Sequence, residues 1–283
     1  MLAKFQAVLL GVAPGATEEL DMARDLEATV IPAREDPIRV VPLHGIDELI
    51  APIGAALPAV APKLTYRGGP LLTGVQVFTA FWGSGWLKQP QAGLIPKVNK
   101  FFDYVLTSPL IDQLAEYNVP GKAIKHGKHV GTATVKTPDP GRHATDSAVR
   151  HLIQQEILTK SFPQPSPNTL YFVYLPPGVS LTGVGGKSCL TFCGYHEHIN
   201  SQIFYAAMPY PGCNGCLGGL ADFDALTSTS SHELCEAITD AVPGMGWYDD
   251  HNGEIGDICG WKMKKLGAYT VQQEWSNKAK KCI

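Results

Sequence analysis

Residues 231–240 read Ser231-His-Glu-Leu-Cys-Glu-Ala-Ile-Thr-Asp240, and the interpretation of the whole chain depends on this stretch. In a helix, residues four apart lie on one face, so His232 and Glu236 point the same way. Imidazole nitrogen and carboxylate oxygen both bind zinc, and a catalytic zinc site keeps three protein ligands and one open position. Glu233 directly follows the first ligand, where a His-Glu-x-x-His helix carries its general base. The stretch therefore predicts a Zn²⁺ site with His232 and Glu236 as ligands and Glu233 as the base.

The His-Glu-x-x-Glu pattern by itself also occurs on solvated helices, so its flanks matter. The hydroxyl residues Thr227 to Ser231 precede it, and the apolar side chains of Leu226, Leu234 and Ile238 surround it. These neighbours predict a buried helix over residues 222–240. Charges inside a protein need a partner or a metal ion, which favours the metal site over a solvated face.

Two acidic residues follow the helix in the segment Glu254-Ile-Gly-Asp257-Ile-Cys259. Their spacing from the helix resembles that of gluzincins, zinc peptidases whose third ligand is a Glu and whose next Asp steadies the first histidine. Glu254 and Asp257 are both predicted metal-site residues, and the sequence leaves open which one is the ligand.

His196 lies in Cys193-Gly-Tyr-His196-Glu-His198, after a strand-like run. Three roles remain open for it: a catalytic residue that donates to the transition state, a metal ligand, or a core histidine. Asp240, His198 and His251 are weaker metal donors. Asp240 is placed to end the helix, and His251 lies in a polar loop.

The pattern of apolar residues in the rest of the sequence predicts one α/β (α+β) domain of zincin-like type, with a mixed β-sheet packed against the metal-site helix. Strands are expected at 75–83, 169–176 and 202–209, and amphipathic helices at 94–107 and at 146–159, the latter capped by Asp146. This domain spans residues 63–283. Residues 1–62 form an N-terminal extension, resembling a pro-segment, with strand-like runs at 28–32 and 38–41 and a helix near 45–56.

Composition excludes several classes of function. The chain has 283 residues and a formal charge of −3, without a basic run, which argues against nucleic-acid binding. It has no apolar run of the roughly 18 residues that a membrane span needs. It also lacks a P-loop and a G-x-S-x-G elbow, so nucleotide-binding and serine-hydrolase interpretations have no starting point.

All seven cysteines lie at or beyond Cys189. The close pairs Cys189/Cys193 and Cys213/Cys216, with Cys259 and Cys282, predict three disulfides and an oxidising compartment. A structural zinc on the first four cysteines is the rival interpretation. Cys235 is the odd cysteine, expected as a small buried side chain. The short, interrupted apolar run at the N-terminus is not a convincing signal peptide, so the cysteine pairs are the residues that suggest secretion.

Several motifs in order resemble the EXORDIUM-like, or phosphate-induced protein, family of secreted plant proteins and their microbial relatives. The resemblance covers residues 63–283. Its matching stretches are Tyr66-Arg-Gly-Gly-Pro-Leu-Leu72, Phe81-Trp-Gly83, Cys189-x3-Cys193-Gly-Tyr-His196, Cys213/Cys216, His232-Glu-Leu-Cys-Glu236, Glu254-Ile-Gly-Asp-Ile-Cys259 and Val271-Gln-Gln-Glu-Trp-Ser-Asn277. The family is linked to growth and cell-wall responses, so the resemblance implies secretion without a defined reaction.

The expected function is zinc-dependent hydrolysis of a peptide or protein substrate. The alternative is a non-catalytic secreted binding or signalling protein with a structural metal site. A third interpretation, a carbohydrate binder, depends only on the aromatic residues from Phe81 to Trp86, which also suit a core. No pattern indicates an oligomeric state.

Overall fold

A computed structural model describes residues 41–42, 60–183 and 185–283. The strands in this part of the chain are β1 (Val41–Pro42), β2 (Thr65–Tyr66), β3 (Gln76–Trp82), β4 (Lys128–Val135), β5 (His143–Thr145), β6 (Thr169–Tyr174), β7 (Ser180–Gly183), β8 (Gly186–Lys187), β9 (Phe192–Ile199), β10 (Ile203–Met208), β11 (Trp247–Tyr248), β12 (Met263–Leu266), β13 (Tyr269–Gln272), β14 (Trp275–Ser276) and β15 (Lys281–Cys282). The α-helices are α1 (Ile95–Val105), α2 (Pro109–Gln113), α3 (Asp146–Leu158), α4 (Asn214–Leu217) and α5 (Asp222–Thr239).

The main sheet has the strand order β1-β9-β10-β6-β3-β4. Strands β10, β6, β3 and β4 are parallel to one another. Strand β9 runs antiparallel to β10, and the two-residue strand β1 pairs antiparallel with β9. The predicted mixed sheet is therefore confirmed, and the expected strands correspond to β3, β6 and β10.

Helices cover both faces of this sheet, as parallel strands require. Along β6, Phe172 and Tyr174 contact the core under α1 and α5, whereas Tyr171 and Val173 contact the core under α3. This alternation follows the two-residue period of a strand. Both predicted amphipathic helices are present, because α1 and α3 each bury the apolar stripe expected from the sequence.

The predicted helix cap at Asp146 is wrong by one residue. The cap is Thr145, whose Oγ1 accepts a hydrogen bond from the backbone N–H of Ala148 at 3.2 Å. Asp146 instead accepts hydrogen bonds from the hydroxyls of Tyr195 at 2.8 Å and Tyr205 at 2.5 Å. Its carboxylate therefore links α3 to strands β9 and β10 by hydrogen bonds, which the local sequence does not predict.

Helix α5 is buried on all sides from Ala225 to Thr239, although it carries many hydroxyl residues. Several of those hydroxyls have partners: Ser231 Oγ donates to Ser228 O at 2.7 Å, and Thr239 Oγ1 donates to Cys235 O at 2.8 Å. Small side chains also let the sheet approach closely, since a Cβ on Gly194 of β9 would lie 2.8 Å from Thr229 Cγ2. The close approach brings β9 directly over the His-Glu-x-x-Glu turn.

Three disulfides stabilise the C-terminal part of the domain: Cys189–Cys213, Cys193–Cys216 and Cys259–Cys282. The first four cysteines thus pair crosswise, and the structural-zinc interpretation of these residues is wrong because their sulfurs bond to one another. Cys235 is free and fully buried, and burial raises the pKa of its thiol well above the ordinary value. It packs as a neutral side chain.

The N-terminal extension predicted over residues 1–62 lies outside the described residues, apart from β1 and residues 60–62. The same is true of the helix expected near 45–56 and the run at 28–32. Among the described residues, no helix is long and apolar enough to cross a membrane.

Candidate metal centre

The structure brings together all six residues that the sequence predicts for the site. They come from β9 (His196), from α5 (His232, Glu233 and Glu236), and from the loop and short 3-10 turn beyond β11 (Glu254 and Asp257). Each of these side chains is at most 1% exposed. These side chains therefore form a buried cluster of two imidazoles and four carboxylates.

On one side of the cluster, His232, Glu236 and Asp257 meet. His232 Nε2 lies 2.9 Å from Glu236 Oε1 and 3.9 Å from Asp257 Oδ1, yet it makes no hydrogen bond of acceptable geometry. The backbone N–H of Asp257 donates to Glu236 Oε1 at 3.1 Å, and Asp257 Oδ2 accepts from the N–H of Glu254 at 3.0 Å. These contacts fix both carboxylates and leave Asp257 Oδ1 directed at the imidazole.

On the other side, His196 faces Glu233 and the second oxygen of Glu236. His196 Nδ1 lies 3.4 Å from Glu233 Oε2 and 3.5 Å from Glu236 Oε2. His196 Nε2 lies 3.1 Å from the backbone carbonyl of Asp240 and 3.5 Å from Glu254 Oε1. The group of His196, Glu233 and Glu236 could hold a metal ion, as could that of His232, Glu236 and Asp257.

Many polar atoms of the cluster have no hydrogen bond within the described part of the chain. They are His196 Nδ1, His232 Nε2, Glu236 Oε2, Asp257 Oδ1 and both carboxylate oxygens of Glu233 and of Glu254. Buried polar atoms in folded proteins almost always have a partner, so such a concentration needs an explanation. A bound cation would give several of these atoms a partner, since each can offer a lone pair.

Crowded charge shifts the pKa values of the cluster. Burial alone would lower the pKa of His196 and His232, but neighbouring carboxylates outweigh it and raise both pKa values well above the ordinary value. Burial raises the pKa of Asp257 well above its ordinary range. Burial acts in the same direction on Glu236, but the adjacent His232 and His196 lower its pKa to about 2. Without a cation, the cluster therefore retains protons that a metal ion would displace.

Sequence reasoning missed Gln272, which lies in β13. Its Nε2 lies 2.7 Å from His232 Nδ1 and 2.9 Å from the carbonyl of Gly256. The backbone of Gly256 also packs tightly against the cluster, because a Cβ on Gly256 would lie 2.7 Å from His232 Nδ1 and 2.8 Å from Glu236 Oε1. Gln272 thus occupies the position beside the first histidine that the sequence assigned to Glu254 or Asp257. Its strand is the mixed sequence Tyr-Thr-Val-Gln, so no local pattern in the sequence indicates it.

The weaker candidates fall outside the cluster. The Asp240 carboxylate accepts hydrogen bonds from the backbone N–H groups of Gly244 at 2.6 Å and Met245 at 3.0 Å, so it shapes the turn after α5. His251 is exposed, as its polar loop predicts. His198 Nδ1 accepts from the N–H of Ser201 at 2.9 Å and belongs to the β9–β10 turn.

Four surface clefts are lined by described residues, and none of their walls includes a member of the cluster. Strand β1 pairs with the edge of β9 opposite β10, with Val41 opposite Gly194. Because a Cβ on Gly194 would lie 3.1 Å from Glu233 Oε1, this edge forms the wall of the site.

The fold and the cluster define a mixed α/β protein with buried His/Glu groups that could bind a metal ion. Neither protein-family models nor curated proteins match the chain.

Proposed function

We propose that this chain is a zinc-dependent hydrolase of zincin-like type that acts on peptide bonds. The observation that supports this proposal is the concentration of unpaired, buried donor atoms around the His-Glu-x-x-Glu turn of α5. The disulfides are consistent with an extracellular location, and we propose secretion, as the resemblance to the EXORDIUM-like family implies.

His232, Glu236 and Asp257 are the residues proposed to hold zinc. With zinc–ligand distances of about 2.0–2.2 Å, two ligands of one tetrahedral ion lie about 3.3–3.6 Å apart. The observed separations of 2.9 Å and 3.9 Å from His232 Nε2 bracket this value, so small side-chain shifts suffice. Bound zinc would supply a Lewis acid that polarises a carbonyl and lowers the pKa of water.

Gln272 is proposed to hold the ring of His232. A histidine that binds metal through Nε2 keeps its proton on Nδ1 and donates it to a neighbour. The amide of Gln272 is 2.7 Å from Nδ1 and 2.9 Å from the carbonyl of Gly256, so metal binding through Nε2 requires the amide to turn its oxygen towards Nδ1 and give up its bond to Gly256.

Glu233 is proposed to be the general base. Neither of its oxygens has a hydrogen bond of normal length, and burial raises the pKa of its carboxyl. A carboxylate with a raised pKa takes a proton more readily than an exposed one. His196 lies beside Glu233, where it is a candidate donor to a substrate oxygen.

A structural metal site in a binding or signalling protein is the second candidate. The complete burial of all six side chains favours it, because a peptide cannot reach the cluster without movement of the surrounding chain. Catalysis therefore requires that the edge of β9 become accessible. The carbohydrate-binding interpretation is weakened because Phe81 and Trp86 are fully buried and Trp82 nearly so.

Turnover by Glu233→Gln tests the catalytic proposal. The variant should remain folded and keep zinc at His232, while peptide hydrolysis falls by about 10²–10⁴-fold, the usual contribution of a general base. Glu156→Gln, on α3 across the sheet, is the matched control and should retain the parent rate. Parent-like hydrolysis by Glu233→Gln would show that Glu233 is not the base.

A further inference from the structure

Glu236 presents its two oxygens to two different histidines. Its Oε1 lies 2.9 Å from His232 Nε2, and its Oε2 lies 3.5 Å from His196 Nδ1. A carboxylate shared in this way between two donor groups is the usual bridge of a two-metal site, in which the ions lie about 3.5–4 Å apart. The cluster therefore contains two ligand groups that share Glu236.

The His196 group has the geometry of a ligand set. The distances of 3.4 Å from Nδ1 to Glu233 Oε2 and 3.5 Å to Glu236 Oε2 match the separation of about 3.3–3.6 Å expected for two ligands of one tetrahedral ion. They exceed the usual length of a hydrogen bond, about 2.7–3.2 Å. All three atoms are buried and make no hydrogen bond within the described residues.

The other ring nitrogen of His196 fixes its orientation. Nε2 lies 3.1 Å from the backbone carbonyl of Asp240, an acceptor that requires the proton on Nε2. Nδ1 of the neutral ring then carries a lone pair directed at Glu233 and Glu236. Metal-binding histidines commonly donate their second N–H to a backbone carbonyl in this manner.

Charge balance also favours two ions. Glu233, Glu236, Glu254 and Asp257 would together carry four negative charges when ionised, and all four side chains are fully buried. Among the described residues no Lys or Arg forms an ion pair with any of them. Two divalent ions would balance more of this buried negative charge than one ion alone.

We propose that the site is dinuclear: a second divalent cation binds His196 Nδ1, Glu233 Oε2 and Glu236 Oε2, and Glu236 bridges it to the ion at His232 and Asp257. Glu254 lies 3.5 Å from the other nitrogen of His196, Nε2, so it faces the N–H side of the ring and not the proposed ion. His196 and Glu233 are then ligands of the second ion, and the roles of substrate donor and general base proposed above apply to the mononuclear site. This inference extends the proposed metal site but does not depend on hydrolysis.

The test counts ions in the full-length chain and probes their coupling. The protein is loaded with Zn²⁺, freed of excess ion and measured by mass spectrometry; a second sample is loaded with Mn²⁺ and examined by electron paramagnetic resonance. We expect two ions per chain and the spectrum of an exchange-coupled manganese pair. His196→Gln should bind one ion and lose the coupled signal, while the control His198→Gln, on the same strand, should keep both.

One Zn²⁺ per chain at saturation, together with the spectrum of isolated Mn²⁺, would overturn the dinuclear proposal while leaving the mononuclear hydrolase intact. Two ions per chain without peptide hydrolysis would support the dinuclear site and refute the peptidase. The coupled spectrum of the parent keeps the test decisive even when circular dichroism shows that His196→Gln does not fold.

Discussion

Gly256→Ala should weaken zinc binding, because Gly256 lies against the first ligand. The backbone of Gly256 has φ −79° and ψ −40°, which alanine adopts without strain. The added Cβ, however, would lie 2.7 Å from His232 Nδ1 and 2.8 Å from Glu236 Oε1. Contacts this short do not occur in folded proteins, so the imidazole, the carboxylate or the turn must move.

The size of the effect follows from the packing around the ligands. Forcing a methyl group into a filled site costs about 1–3 kcal/mol. If His232 or Glu236 moves to relieve this strain, most of the cost makes the free energy of metal binding less favourable. The dissociation constant then rises tenfold for about every 1.4 kcal/mol. We therefore expect zinc affinity to fall by roughly 10–100-fold, the range found when neighbours of metal ligands are altered.

The assay is competition for zinc between the protein and a chromophoric chelator, with circular dichroism to confirm folding. Gly74→Ala is the matched control, because a Cβ there would meet no atom within 4 Å, and it should bind zinc as the parent does. A folded Gly256→Ala protein with parent-like zinc affinity would refute the placement of the metal between His232 and Glu236.

Three further predictions test the ligands, the protons and the access to the site. Asp257→Ala should weaken zinc binding by more than the roughly 10–100-fold typical of a ligand's neighbour, whereas Glu254→Gln should keep the ion at His232. If chelator competition shows a larger loss of zinc affinity for Glu254→Gln than for Asp257→Ala, Glu254 is the third ligand. Burial raises the pKa of Asp257, so zinc must displace its proton, and affinity should fall as the pH is lowered. Calorimetry in buffers of different ionisation enthalpy should show proton release, and its absence would contradict a protonated cluster. Cleaving the folded chain at a protease site engineered just before Lys63 should raise peptidase activity, since Val41 pairs with Gly194 beside the site. Unchanged activity would show that the N-terminal extension is a fixed part of the fold.

Local patterns in the sequence determined most of the fold. The apolar stripes of α1 and α3 and the β-branched and aromatic residues of β3 predicted those elements because burial of one face or both leaves a period in the sequence. The sequence predicted no strand at Lys128–Val135, since β4 is an edge strand with largely half-buried or exposed side chains. The crosswise disulfides could not be predicted either, because spacing alone does not fix which cysteines meet.

The candidate site likewise contains residues that local sequence patterns predict and residues that they do not. His232 and Glu236 could be placed from helical periodicity, and Glu233 from its position in the His-Glu-x-x-Glu pattern, since all three lie close together on α5. His196 and Gln272 reach the cluster from β9 and β13, far from α5 in the sequence, and only the tertiary packing brings them there. The separate roles of Asp257 and Glu254 depend on the short turn between them, whose geometry no periodic pattern encodes.

The central claim is that the buried cluster is a metal site, and metal content tests it most directly. The parent chain and His232→Ala are purified without added metal, offered zinc, freed of excess ion and measured by inductively coupled plasma mass spectrometry. The account predicts at least one zinc per chain in the parent and a loss of zinc in the variant. No metal in either protein would contradict it and leave the His-Glu-x-x-Glu helix as a buried network of shared protons.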